Sequence, residues 1–156
     1  IGREAQGGFI PLFMTIGRII ASRGSAEIIS CGADISVRDA IALLAERRIG
    51  ALPVTEEGAV IGIFSERDVI YCLASAGAAA LDKPVRDVMT SPAITVAPDT
   101  EVLSALALMT RRRIRHLPVT EQGRAVGFIS IGDLVKHRID RIEADAEAMR
   151  SYIQSA

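Results

Sequence analysis

The stretch Ile49-Gly-Ala-Leu-Pro-Val-Thr-Glu-Glu-Gly58 returns later in the chain as Ile114-Arg-His-Leu-Pro-Val-Thr-Glu-Gln-Gly123, and Gly62-Ile-Phe-Ser-Glu-Arg-Asp68 returns as Gly127-Phe-Ile-Ser-Ile-Gly-Asp133. Both returns come after the same 65 residues. Between 49–68 and 114–133, ten of twenty positions are identical without a gap, which shared composition does not produce. The chain is a tandem duplication, and each copy has to be read as one folding unit.

Outward from that stretch, Val37, Ala40, Ile41 and Leu44 recur at helical spacing, as do Val102, Ala105, Leu106 and Met109, with Asp34 and Asp99 standing before the two runs. Leu52-Pro-Val54 and Val60–Phe64 read as strands around the turn Thr55–Gly58, and Leu117-Pro-Val119 and Ala125–Ile129 are their counterparts. Proline in such a strand predicts an edge position or a strand start. Ile28-Ile29 and Ile94-Thr-Val96 read as further short strands, and second helices run from about Glu66 to Ala76 and from Ile131 onward. The expected fold is α+β: two β-α-β-β-α motifs packed as a pseudo-two-fold pair, with a long C-terminal helix. The first motif covers 14–76, a linker 77–84, the second motif 85–139 and the C-terminal helix 140–156. Gly77-Ala-Ala-Ala80 and Asp82-Lys-Pro84 mark the linker, and one helical turn is expected over Val85–Met89. Met14 reads as a natural start, with residues 1–13 an upstream extension or a remnant of cloning.

Composition removes several classes of function. Eighteen Lys+Arg against nineteen Asp+Glu give a net charge of −1, so no field gathers a polyanion. Trp is absent and aromatics are 4% of the chain, which leaves few platforms for stacking bases, so nucleic acid is not expected as the main partner. No apolar run reaches the ~18 residues of a membrane span. Cys31 and Cys72 form no Cys-x-x-Cys pair and fit a reduced, cytoplasmic setting as small apolar packing residues. His116 and His137 have no third ligand at metal spacing. There is no P-loop, no Gly-x-Ser-x-Gly elbow and no nucleophile with an assigned base, so no catalysis is expected.

The residues that carry chemistry lie inside the repeat. Ser65-x-x-Asp68 and Ser130-x-x-Asp133 each close a strand and open a helix. One reading is a helix cap, in which hydroxyl and carboxylate satisfy free N–H groups. The other is a binding site, since a helix N-terminus suits a phosphate and a neighbouring carboxylate can accept both ribose hydroxyls. Arg111-Arg-Arg113 at a helix end reads as a solvated face complementing the helix dipole, whereas Arg115-His116 lies directly before a strand.

Ile-x-x-Leu-Pro-Val followed by Gly-h-h-Ser-x-x-Asp (h, hydrophobic), present twice and introduced the second time by Val85-Arg-Asp-Val-Met-Thr90, resembles the tandem cystathionine-β-synthase-type (CBS) domain pair, or Bateman module, over about residues 16–139. Ile16-Gly-Arg-Ile-Ile20 is the counterpart of Val85–Met89 at an offset of 69, which implies four extra residues near Gly24–Glu27. The resemblance implies a small stand-alone regulatory or sensor protein that is non-catalytic, homodimeric and cytoplasmic. It needs no cofactor and binds an adenine nucleotide or adenosyl ligand between its motifs: AMP, ADP or ATP, with NADH and S-adenosylmethionine as further options. It further implies that Ser130 and Asp133 hold ribose or phosphate, that Arg115 and His116 face phosphate, and that Thr95, Val96 and Pro118, with Ile94 and Leu117, flank adenine. Ser65, Arg67, Asp68, Ala51 and Pro53 are the corresponding set in the first motif. There the basic pair is replaced by Gly50-Ala51, so the second cleft is expected to be the better phosphate site. The alternative is a ligand-free dimeric scaffold that recruits a partner protein.

In the tail, Val135, Ile139, Ile142, Ala146, Met149 and Ile153 step by 4, 3, 4, 3 and 4, the seam of a coiled coil, while Arg138, Asp140, Arg141, Glu143, Asp145 and Glu147 lie away from it. A partner helix is expected, within a two-fold dimer or from another protein.

Overall fold

The computed structural model describes residues 14–24 and 27–156, so the reading of residues 1–13 lies outside the described residues. In chain order the elements are α1 (Ile16–Ser22), β1 (Cys31–Gly32), α2 (Val37–Arg47), β2 (Ala51–Glu56), β3 (Ala59–Ser65), α3 (Glu66–Ala76), α4 (Val102–Arg112), β4 (His116–Glu121), β5 (Arg124–Ser130) and α5 (Ile131–Ser155). One mixed sheet has the order β1-β2-β3-β5-β4. The two hairpins meet through a single residue pair, Ala59 with Arg124, beside a Val60 N–H to Gly123 carbonyl bond of 3.0 Å. The pseudo-two-fold relation between the motifs passes through that point.

Both hairpins turn on two residues, Glu57-Gly58 and Gln122-Gly123, all four with positive φ (50°, 81°, 51° and 78°). That turn matches the twist of antiparallel strands, and it demands the left-handed backbone glycine supplies. Helix α2 starts where Ser36 Oγ accepts the Asp39 N–H at 3.1 Å. Asp34 is occupied elsewhere, 3.2 Å from Arg86.

The predicted strands at Ile28-Ile29 and Ile94–Val96 are shorter and shifted. β1 begins at Cys31, pairing parallel with Val54, and its counterpart is one isolated bridge between Val96 and Val119. Ile28 and Ile29 instead line a cavity. Pro118 sits in the edge strand β4, but Pro53 is the third residue of the inner strand β2. It is accommodated because β1 reaches only Val54 and Thr55, so no acceptor of β1 stands opposite the missing N–H. The linker is itself folded: Gly77–Asp82 and Val85–Asp87 are 3₁₀ turns, and Ala80 is fully buried. The tail is one continuous helix from Ile131, which began the second motif's final element.

Packing follows different limits from chain order. Val85 and Ala80 belong to the first core, with Val37, Leu52, Val54 and Phe64, and the Val85 and Arg86 N–H groups bond to the Ile35 and Ala33 carbonyls at 2.9 Å. Ile16 and Ile19 belong to the second core, with Val102, Met109, Leu117 and Leu134, and the Ile16 N–H bonds to the Thr100 carbonyl at 2.8 Å. Each motif thus lends its lead-in segment to the other. Burying an Ile or Val fully is worth about 1.5–3 kcal/mol, so the exchange locks the pair. Both lead-ins cross a strand glycine: a Cβ at Gly62 would stand 2.7 Å from Met89 Sδ, and one at Gly127 would collide with Ile20.

Candidate functional site

A cavity of about 430 Å³ opens between the motifs. Its floor is the N-terminus of α5, where Ser130 caps the helix: the Ser130 N–H donates to Asp133 Oδ2 at 2.8 Å and the Asp133 N–H donates to Ser130 Oγ at 3.1 Å. From the second motif come also His116, Val126, Gly127 and Phe128; from the first come Ile28, Ile29, Arg48, Ile49, Gly50 and Ala51, with Ile20, Arg23 and Gly24 from the lead-in and Glu27 beyond it. Six of these residues, Ile20, Ile28, Ile29, Ile49, Ala51 and Val126, are aliphatic, and Arg23 and Arg48 supply cations. The His116 and Phe128 rings stack at 5.5 Å between centroids and 14° between planes.

Electrostatics at the floor are set by Arg23, whose Nη2 stands 3.0 Å from Asp133 Oδ1. Burial pushes the Asp133 carboxyl up, but Ser130, through its backbone N–H and its side chain, together with Arg23 outweighs this and holds it below the ordinary carboxylate range. Burial lowers the His116 imidazole below its ordinary value, against the pull of Asp133 and Glu66 and with a smaller push from Arg115. The result is a neutral imidazole near an ionised carboxylate at pH 7.

Of the residues singled out from sequence, Ser130, Asp133, His116 and Ala51 come together in this cavity. Thr95, Val96 and Pro118 do not, although they belong to the same motif as Asp133. Val96 and Pro118 are buried in the second core region, the Val96 N–H bonding to the Pro118 carbonyl at 3.1 Å, and Thr95 is exposed away from the cavity lining. The reason is that this cavity is assembled across the motifs. The strand-side wall facing Asp133 is Ile28–Ile29, from the other copy. Arg115 is exposed and does not line the cavity; its carbonyl accepts the Ile131 N–H at 2.8 Å. Pro53 lies fully buried in the first core.

The first motif's pair is arranged differently. Asp68 is buried, at 8% exposure, and its carboxylate is fully engaged: Oδ2 accepts the Ser65 N–H at 2.8 Å and the Ser65 hydroxyl at 3.0 Å, and Oδ1 accepts the Thr90 hydroxyl at 2.9 Å. Arg67 reaches across to the Arg113 carbonyl at 3.3 Å. At the positions equivalent to Thr90 and Arg67 the second motif has Ala21 and Gly132, which leave its cleft open. Arg23, Ile20, Arg48 and Gly50 are lining residues that sequence reasoning missed. The offset of 69 already placed Ile20 opposite Met89, but it sets Arg23 opposite Pro92, so the repeat offers no equivalent cation to point to it.

Among the described residues, no three His, Cys, Asp or Glu side chains cluster at metal-holding range, and no helix is long and apolar enough to cross a membrane.

The CBS domain family model matches the chain twice, at residues 19–75 and 85–140. The mitochondrial CBS domain-containing protein CBSX3 of Arabidopsis thaliana is 35% identical over 148 residues, 90% of this chain and 72% of the relative. Among solved structures, the CBS-domain containing protein ATU1752 of Agrobacterium tumefaciens is 36% identical with a TM-score of 0.75, over 80% of this chain and 99% of that one. The CBS domain pair of protein MJ0100, solved in complex with 5′-methylthioadenosine and S-adenosyl-L-methionine, is 26% identical with a TM-score of 0.69, over 79% of this chain and 98% of that one. CBS pairs are regulatory modules, and with two such domains in tandem at the matched positions this chain belongs to the CBS-domain family.

Proposed function

We propose that the chain is a non-catalytic, homodimeric sensor that takes one adenine nucleotide or adenosyl ligand per protomer into the Asp133 cavity. The observation that carries this reading is the difference between the two carboxylates: Asp68 is buried with every contact satisfied inside the protein, whereas Asp133 lies on the wall of an open cavity beside a single exchangeable cation. In the ligand-bound state Asp133 accepts the ribose hydroxyls and Ser130, with the α5 N-terminus, meets the first phosphate or its equivalent. Released from Asp133, Arg23 serves the phosphate chain, and the aliphatic walls cover the purine. The relative MJ0100 supports the ligand class, since it was solved with two adenosyl compounds. A reduced, cytoplasmic setting suits the two buried free thiols, Cys31 being pushed up to about 11 by burial and so held unreactive.

Regulation then follows from differential affinity: the ligand favours whichever arrangement of motifs or protomers presents the Asp133 cavity open. Thermal melting against AMP, ADP, ATP, NADH and S-adenosylmethionine tests the proposal. At 100 times its dissociation constant a one-site ligand adds about 2.7 kcal/mol, well within detection. A flat panel would favour the scaffold reading, in which the Ser130–Asp133 pair serves only as a helix cap.

A further inference from the structure

Helix α5 leaves the body of the molecule after its first turns, with only Leu134 buried. Along it runs an apolar stripe whose exposure rises from 44% at Val135, through 49% at Ile139 and 53% at Ile142, to 64% at Met149 and 67% at Ile153. A stripe alone does not say what covers it. The charges beside it do.

With Ile139, Ala146 and Ile153 at a and Val135, Ile142 and Met149 at d, the flanking g positions are Arg138 and Asp145, and the e positions include Glu143 and Arg150. In a parallel, in-register pair of such helices, g of one faces the e five residues further along the other. Arg138 then faces Glu143 of the second copy and Asp145 faces its Arg150, opposite charges at each contact and twice over by symmetry. In the antiparallel pairing that matches a layers to d layers, Glu143 meets Glu143, Asp145 meets Asp145 and Lys136 meets Arg150. Every one of those is a like-charge contact, and the one-heptad slide that would instead pair Arg138 with Asp145 and Lys136 with Glu143 leaves Met149 and Ile153 uncovered. Arg138 and Glu143 form no ion pair within the chain among the described residues, so both are free to pair between copies.

We infer that α5 pairs with α5 of a second copy of this chain as a parallel, in-register coiled coil over Val135–Ile153. This deepens the proposed homodimer by naming its surface and polarity. It also puts the ligand cavity and the dimer seam on one helix, with Asp133 two residues before Val135.

Sedimentation velocity on the full chain tests it. The wild-type chain is expected to be dimeric, Arg138→Glu to weaken the dimer about tenfold, and Glu143→Arg added to it to restore the dimer. Met149→Cys under mild oxidation is expected to give a disulfide-linked dimer, because equivalent d positions meet only in the parallel arrangement. A monomeric wild-type chain, a dimer indifferent to Arg138→Glu, or a double variant no tighter than the single one overturns the inference. So does a dimer in which Met149→Cys never cross-links. Nucleotide-induced melting shifts on the same samples report the ligand site separately: a seam that fails while the shift persists refutes only the coiled coil.

Discussion

Arg23 Nη2 sits 3.0 Å from Asp133 Oδ1, at the place in the second motif where the first has the Thr90 hydroxyl 2.9 Å from Asp68 Oδ1. Duplication produced two equal Ser-x-x-Asp corners, and the exchanged lead-in segments made them unequal. The Thr90 backbone exchanges two bonds of 2.9 Å with Ile63, which holds the hydroxyl-bearing residue beside Asp68. Arg23 is held by one partly exposed ion pair, a type of contact worth about 0–1 kcal/mol and readily traded for a ligand's phosphate.

Asp133→Asn is therefore expected to weaken adenine-nucleotide binding by about ten- to a hundredfold, in line with about 1.5–3 kcal/mol for a hydrogen bond to a charged group, while Asp68→Asn leaves affinity within about twofold. Titration calorimetry on both variants decides the matter. Equal losses would mean that both corners bind, and no loss at Asp133 would remove it from the site.

Arg23→Gln separates ligand classes. If Arg23 moves to phosphate, the variant binds AMP or ATP about tenfold more weakly, yet its affinity for S-adenosylmethionine is unchanged or improved because Asp133 no longer has to shed a cation. Uniform weakening across both classes would show that Arg23 only shapes the cavity.

How much of this was legible in the sequence depends on which physical signal carried it. The helices over Val37–Arg47 and Val102–Arg112 and the paired hairpins were legible because periodicity and the Glu-Gly and Gln-Gly turns are local. The Ser130–Asp133 corner was legible because a helix cap is local too. The other wall of the cleft was not. Ile28 and Ile29 look like any β-rich run, and nothing within the motif says that they face Asp133 and not Asp68. That assignment follows from the exchange of lead-ins, decided by where Ile16 and Val85 find a core to fill. Thr95, Val96 and Pro118 are site residues by family resemblance, which assigns them to the same copy as Asp133, and they do not line its cavity. Nearness within one copy is the wrong metric when the cleft is built from two.

Acid should act on the site through His116 and Asp133. The folded pKa of His116 is lowered by burial, so below about pH 6.5 the unfolded chain takes up a proton that the folded chain resists, and stability falls as pH falls. Denaturant unfolding from pH 7.5 to 5.5 should therefore show the wild type losing more stability than His116→Gln. The Asp133 carboxylate has a depressed folded pKa, so its contribution is complete above the ordinary carboxylate value and disappears only as pH falls through the folded one. Wild type and Asp133→Asn should differ at pH 6 and converge in stronger acid. Parallel profiles for wild type and His116→Gln between pH 7.5 and 5.5 would contradict the burial argument.

Gly132→Arg transplants into the Asp133 cleft the side chain that in the first motif crosses to the Arg113 carbonyl. Arg67 spans from the start of α3 to the Arg113 carbonyl at 3.3 Å, and the equivalents of those two residues are Gly132 and Arg48, the latter a lining residue of the cavity. By the repeat an arginine at 132 is expected to reach the Arg48 carbonyl, and a Cβ there meets only Ser130 Oγ, at 3.6 Å. Replacing a helical glycine gains up to about 1 kcal/mol in propensity, and a cation in the first turn of α5 costs about 0.3–1 kcal/mol against the helix dipole, so fold stability should hardly change. Affinity for AMP should nonetheless drop at least tenfold, since the side chain lies across the space a ligand needs. Calorimetry beside a melting curve separates the two effects: an unchanged melting temperature with lost binding is the expected result, and undiminished binding would mean that the ligand enters somewhere other than beside Asp133.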